Sequence, residues 1–235
     1  MTPLMRRILF TNHAATYGPP PAPGAAHVNS SFTELGDPSG GNVPFPSGAA
    51  VGDVCAITVI NFSGATGQSL VTPGSSQTLT SQGSNNASAW GARIEYYSVV
   101  LGTGDPAGGI DFSSGGYGNY FLLSLWRGGG VTLATKKTFA ENNPGASPLQ
   151  IGGFAPSVAP ASKGVFAQIL TGGGSPVNHV ITGPTSWTSR WGNVAVSGFG
   201  PEVWDRLTGY SSASLNWTGF GTGNTTNFGS KWELT

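Results

Sequence analysis

Charge is what this sequence has least of. Lys, Arg, Asp and Glu make up 9% of its 235 residues, against about 25% in an ordinary soluble domain. Basic and acidic residues balance at 10 each, and the only adjacent basic pairs are Arg6-Arg7 and Lys136-Lys137. Nucleic-acid binding needs a basic stripe that neutralises phosphates, and an anionic membrane surface asks for much the same. Neither is expected as a partner. Membrane insertion is not expected either, because no apolar run approaches the ~20 residues of a spanning helix.

Cysteine is almost missing. The single Cys55 excludes an intrachain disulfide, and its setting in Val54-Cys55-Ala56-Ile57 reads as an inert core thiol. Synthesis in a reducing cytosol fits this, as does a fold that needs no staples. The apolar run Ile8-Leu9-Phe10 after Arg6-Arg7 is too short for a signal-peptide core. Histidine is scarce: His13, His27 and His179 show no ligand spacing, and no Cys pair or carboxylate-rich loop adds to them. No metal and no cofactor are expected.

The parts of an enzyme are also thin. A serine nucleophile needs a base and an orienting acid, and no Gly-x-Ser-x-Gly elbow is present. Ser63 and Ser75 sit beside Gly64 and Gly74 and read as turn residues. Gly128-Gly129-Gly130 and Gly172-Gly173-Gly174 lack the Lys-Ser/Thr of a phosphate cradle. Paired carboxylates can cleave glycosides, and the candidates are Glu95, Asp111, Glu202 and Asp205. On strands, such residues are most simply outward polar positions, and Asp205-Arg206 a surface ion pair. The expectation is a protein that is not an enzyme.

What is present is glycine, proline and aromatic surface. The 38 Gly and 17 Pro punctuate the chain, while 7 Trp, 12 Phe and 6 Tyr can build a core. Together they predict many short strands joined by tight turns. Val54 to Phe62 is nearly all apolar, as in a strand buried on both faces. Arg93 to Leu101, Ile110 to Phe112, Tyr120 to Arg127 and Val131 to Thr135 follow as strands. Pro144, Pro148, Pro156 and Pro160 mark 142–162 as a crossing connection, with one short strand at Leu149 to Ile151. Strands resume at Val165 to Leu170, His179 to Thr182, Asn193 to Ser197, Val203 to Leu207, Leu215 to Thr218 and Phe228 to Leu234. No helical period is sustained.

The second set echoes the first. Gly52-Asp53-Val54-Cys55-Ala56 resembles Gly164-Val165-Phe166-Ala167, and Leu125-Trp126-Arg127 resembles Lys231-Trp232-Glu233. The predicted fold is therefore all-β: an antiparallel, jelly-roll-like β-sandwich over 46–235. Its two similar halves span about 51–140 and 163–235, linked by the Pro-rich stretch. Residues 1–45, with Tyr17-Gly18-Pro19-Pro20-Pro21 in extended polyproline form, read as an N-terminal arm. Either it is disordered, or Leu4, Ile8, Leu9, Phe10 and Tyr17 dock it on a neighbouring subunit. Trp126, Trp217 and Trp232 read as core, and Trp187 as a plug at the end of the sandwich. Trp90, Arg190 and Trp191 stand beside Asn and Ser and are the candidates for contact with a glycan or a partner.

The order of the motifs resembles a domain found in virion structural proteins of tailed bacteriophages, of the minor tail or tail-tip class. The residues that carry the resemblance are Gly52-Asp53-Val54, Thr72-Pro73-Gly74, Tyr96-Tyr97-Ser98-Val99, Gly104-Asp105-Pro106-Ala107, Asp111-Phe112-Ser113 and Leu125-Trp126-Arg127-Gly128. In the second half Pro184-Thr185-Ser186-Trp187-Thr188 matches the family's turn. The first-half turn lacks the family's Trp, and residues before 45 lie outside the pattern. The resemblance implies a structural component of the virion, assembled in the host cytoplasm beside other virion proteins. A tail-tip or fibre subunit for host attachment, with a face toward host surface polysaccharide, is the first expectation. Capsid decoration or a head fibre, and a free carbohydrate-binding module, are the alternatives. A homo-oligomer is expected, with a trimer favoured, because sheet edges need covering.

Overall fold

The computed structural model describes residues 24–35, 41–61, 79–87, 92–112, 119–140, 149–151, 164–172, 185, 187–192, 199–207, 215–217 and 226–235. Strands account for most of them. The first seven are β1 (Ala26–Leu35), β2 (Gly41–Pro44), β3 (Val54–Asn61), β4 (Thr80–Ala87), β5 (Ala92–Val100), β6 (Gly109–Phe112) and β7 (Asn119–Arg127). The second seven are β8 (Val131–Ala140), β9 (Leu149–Ile151), β10 (Gly164–Gly172), β11 (Thr188–Gly192), β12 (Phe199–Arg206), β13 (Leu215–Trp217) and β14 (Thr226–Leu234). Among the described residues the one helical piece is the 3-10 turn Asp105–Ala107.

The strands form two five-stranded sheets, β1-β7-β3-β5-β4 and β11-β12-β10-β14-β8, and two small ribbons, β2-β6 and β9-β13. Every pairing is antiparallel. The second sheet, read from its β8 end, repeats the first strand for strand: β1 corresponds to β8, β3 to β10, β4 to β11, β5 to β12 and β7 to β14. The ribbons correspond too. Register confirms the match. Val54 pairs with Trp126 and Phe166 with Trp232, so the two strand starts that look alike in sequence occupy one place in each half. Even the bulge recurs, between His27 and Asn29 opposite β7 and between Leu133 and Thr135 opposite β14.

The sandwich of two similar halves is thus present, but its boundaries differ from the sequence reading. The segment 1–45 was expected to be arm, yet β1 and β2 lie within it, and residues 1–23 fall outside the described residues. β8, placed by sequence at the end of the first half, opens the second. The crossing between halves is therefore Gly128-Gly129-Gly130, and the Pro-rich stretch sits inside the second half around β9. The physical reason is steric. Gly128 has φ +84°, a left-handed conformation that glycine adopts freely, and it turns the chain from one sheet to the other.

Alternation sorts the side chains of each strand. From the first sheet Val54, Ala56, Ile60, Ile94, Tyr96, Leu122 and Trp126 point at the second sheet. There they meet Phe166, Leu170, Val203, Trp232 and Leu234. Phe166 is held between the two equivalent tryptophans, 4.5 Å from Trp126 and 5.9 Å from Trp232 by ring centroids. The other face of the first sheet carries Cys55, Ile57, Val59, Tyr97, Val99, Leu101, Phe121, Leu123 and Leu125. It buries them against Val43 and Ile110 of the ribbon. Two buried faces explain why β3 is buried at all eight positions and why its sequence is a continuous apolar run.

One polar side chain crosses the inter-sheet core. The Gln168 amide nitrogen donates to Ser124 Oγ at 2.8 Å and to the carbonyls of Ala56 and Leu122 at 3.3 Å. Its oxygen accepts from Thr58 Oγ1 at 2.6 Å. A space of about 10 Å³ lies beside it, lined by Thr58, Tyr96, Gln168 and Ser230 among others. A buried amide satisfied on both ends fixes register as well as stability. Replacing Gln168 by Ala strands hydroxyls in an apolar layer, which costs about 1–3 kcal/mol per buried group. Urea unfolding is expected to show a loss of about 2–4 kcal/mol, comparable with the ~3–5 kcal/mol for Trp232→Ala. A change under 0.5 kcal/mol for Gln168→Ala would contradict the bridge.

Candidate functional site

Two places gather ionisable side chains. The first is the seam where edge strand β1 meets edge strand β11. A bulge between Ser189 and Trp191 lets Arg190 reach inward, and its Nε donates to Asp205 Oδ2 at 2.7 Å. Trp191, beside Val203 in register, packs partly buried on the inter-sheet core. Across the seam the His27 ring meets the Trp126 ring at 5.1 Å and 67°, and His27 Nε2 lies 2.8 Å from Ser30 Oγ. Burial, then the nearby Arg190 guanidinium, pushes His27 down to about 4. Burial pushes the Asp205 carboxyl up, against the opposing pull of Arg190.

The sequence candidates Arg190 and Trp191 therefore share a strand but serve the seam: one closes an ion pair, the other covers the core. Trp90 lies outside the described residues, as do the arm residues Leu4, Ile8, Leu9, Phe10 and Tyr17. Trp126 and Trp232 are fully buried and Trp187 is buried.

The second place is the outer face of the second sheet. Glu202, Trp204 and Arg206 alternate along β12 and point away from the core, as do Lys231 and Glu233 on β14. Trp204 Nε1 donates to Glu202 Oε2 at 2.6 Å. Burial raises the Glu202 carboxyl to about 7, against the lowering effect of the Trp204 hydrogen bond. Burial lowers the Lys231 ammonium to about 8. Glu202 was visible as a carboxylate candidate, but Trp204 and Lys231 were not singled out. The alternation Glu202-x-Trp204-x-Arg206 was the available signal, since it puts three functional groups on one strand face.

The remaining carboxylates are structural in their contacts. Glu95 accepts from Arg93 at 2.8 Å and from Tyr97 Oη at 3.1 Å, and Asp111 accepts from Asn42 at 2.9 Å. Asp53 takes a two-pronged Arg127 contact at 2.7 and 2.8 Å, which holds its carboxyl below the usual range. Glu202 and Asp205, three apart on one strand, face opposite sides of the sheet, so this pair cannot flank a shared glycosidic bond. Cys55 is fully buried and its thiol is pushed up by burial, away from the thiolate that reactivity needs. Among the described residues no group of three or more His, Cys, Asp and Glu gathers as a metal site.

No family model, no curated protein and no solved structure matches this chain.

The titrations have opposite signs. His27 has a folded value below its unfolded one, so its contribution is complete above about pH 6.5 and is lost as pH falls toward 4. Glu202 has a folded value above its unfolded one, so its contribution is complete below about 4.5 and is lost as pH rises through 7. Glu202→Gln keeps an acceptor for Trp204 and removes the buried charge. Thermal melts are expected to show it raising Tm at pH 8 and changing it little at pH 4.5. His27→Gln should flatten the acid side of the profile between pH 6.5 and 4. Equal shifts of Glu202→Gln at both pH values would contradict the burial of that carboxyl.

Proposed function

We propose that this chain is a structural component of a tailed-phage particle, a tail-tip or fibre subunit that turns a glycan-contacting face toward the host surface. Residues 1–23 anchor it to neighbouring virion proteins, and the assembled form is a homo-oligomer. The observation that carries this reading is the order of the resembling motifs along consecutive structural elements. Gly52-Asp53 opens β3, Tyr96-Tyr97 lies in β5, Asp105-Pro106-Ala107 is the 3-10 turn, Asp111-Phe112 ends β6 and Leu125-Trp126-Arg127 ends β7. These residues also interlock. Arg127 clasps Asp53, and Asp105 is buried, its carboxylate accepting from the backbone of Gly102 at 2.5 Å. A set of motifs so interdependent is harder to reach by chance than short strand-and-turn matches taken singly.

Two further features support a role in recognition by surface rather than by chemistry. Ionic residues make up only 9% of the sequence, so contacts would depend weakly on salt. Many weak copies on one particle would add to a firm attachment. Mass spectrometry of gradient-purified phage particles is the test. The chain is expected among the virion proteins at a handful of copies per particle. Hundreds of copies would place it on the capsid instead, and its absence from intact particles would contradict the reading.

A further inference from the structure

The two halves can be compared position by position, because register fixes which residue of one stands for which of the other. Through β3 and β10, Tyr97 corresponds to Glu202, Val99 to Trp204 and Leu101 to Arg206. Through β7 and β14, Leu123 corresponds to Gly229 and Leu125 to Lys231. In the first half these five residues form a buried apolar core under the β2-β6 ribbon. In the second half the same five places hold an acid, an indole, a guanidinium, a glycine and an ammonium.

That exchange disfavours folding. Buried polar groups need partners and lose hydration, as the displaced titrations of Glu202 and Lys231 reflect. Local departures from a rule that the rest of the fold obeys mark functional sites more often than structural ones.

We propose that this outer face of the second sheet, centred on Trp204, binds a neutral oligosaccharide; the inference rests on the glycan-contacting role above and gives that role a place. Three observations carry it. Trp204 and Glu202 are only half-buried, and β9 of the covering ribbon lies against β14 and β8. Second, the neighbours of Trp204 in register are small. On the edge side this is Ser189 of β11, exposed, with Gly192 beside Glu202; on the other side it is Ala167 of β10, buried. A Cβ on Gly192 would stand 3.3 Å from Glu202 Cγ, so glycine there leaves the carboxylate room. The result is a shallow lane over β12 and the edge strand β11, about 5 Å apart, with an indole at its inner side whose orientation the Glu202 hydrogen bond sets. Third, the two charged groups that stay partly exposed on this face balance, Glu202 against Arg206, while Lys231 and Glu233 are buried. A balanced face does not concentrate anions or cations. An aromatic ring flanked by donors and acceptors suits a ligand with apolar ring faces and hydroxyl edges.

Binding of the full chain to an array of neutral and acidic oligosaccharides, followed by calorimetry on the best neutral binder, tests this. At least one neutral oligosaccharide is expected to bind with a Kd on the order of millimolar or tighter. Trp204→Ala should weaken it at least tenfold. Ser189→Arg, at an exposed edge position where folding is not at stake, should do the same with Tm unchanged. Arg190→Ala, at the seam, should leave affinity as it was. Binding to acidic glycans alone, no binding at all, or full affinity in Ser189→Arg would each overturn the proposal. The two readings fail separately. A chain found in particles that binds no neutral glycan sinks the lane alone, and one that binds sugar through the lane but is absent from particles sinks the virion role alone.

Discussion

The structure depends on one packing event, the stacking of two like sheets through a single aromatic layer. Phe166 sits between Trp126 and Trp232, and Tyr96 closes edge-on against Trp232 at 6.2 Å. Rings of this size each bury on the order of 150–250 Å², so this layer removes a large apolar surface from water. Apolar packing alone would allow the sheets to slide, since it is not directional. Gln168 supplies direction. Its bonds reach β3 and β7 of the opposite sheet, and a slip in either strand would leave them unmade inside the core.

Once that layer is set, the two halves are free to differ on their outer faces, and they do. The first half closes a second apolar core under its ribbon. The second half places Glu202, Trp204, Arg206, Lys231 and Glu233 where that core would be. On the inner faces Trp126 and Trp232 keep one identity at one position. The pattern is that of a scaffold in which structure is held by the shared inner face and specificity is available to one outer face.

Much of this was legible in the sequence, and the reasons for the rest are physical. β3 and β7 were visible because both faces of the first sheet are buried, which writes continuous apolar runs. The three-residue β9 was visible because prolines isolate it. The internal repeat was visible in Gly52-Asp53-Val54 and Gly164-Val165-Phe166. Of the edge strands of the two large sheets, β1, β4 and β11 were not. Thr80–Ala87 reads TSQGSNNA, with no apolar alternation, because an edge strand that faces water on one side has little to bury. β1 was hidden by its polar residues, His27, Asn29, Ser30 and Ser31, and by the proline tract before it. The contacts that Arg190 and Trp191 make at the seam were hidden because they depend on a bulge that sequence does not show. Trp204 was overlooked beside Asp205-Arg206, where a charged neighbour suggested a plain surface strand.

The central claim is that neither half holds its form without the other. Inserting a protease site at Gly129 and cutting the folded chain tests it most directly, because the crossing Gly128-Gly129-Gly130 is the one covalent link between the sheets. The account predicts that the cut halves remain together in size-exclusion chromatography at micromolar concentration, keep the near-ultraviolet circular dichroism of the stacked aromatics, and melt at a temperature that rises with concentration. Halves that part as separate folded monomers with that spectrum unchanged would contradict it.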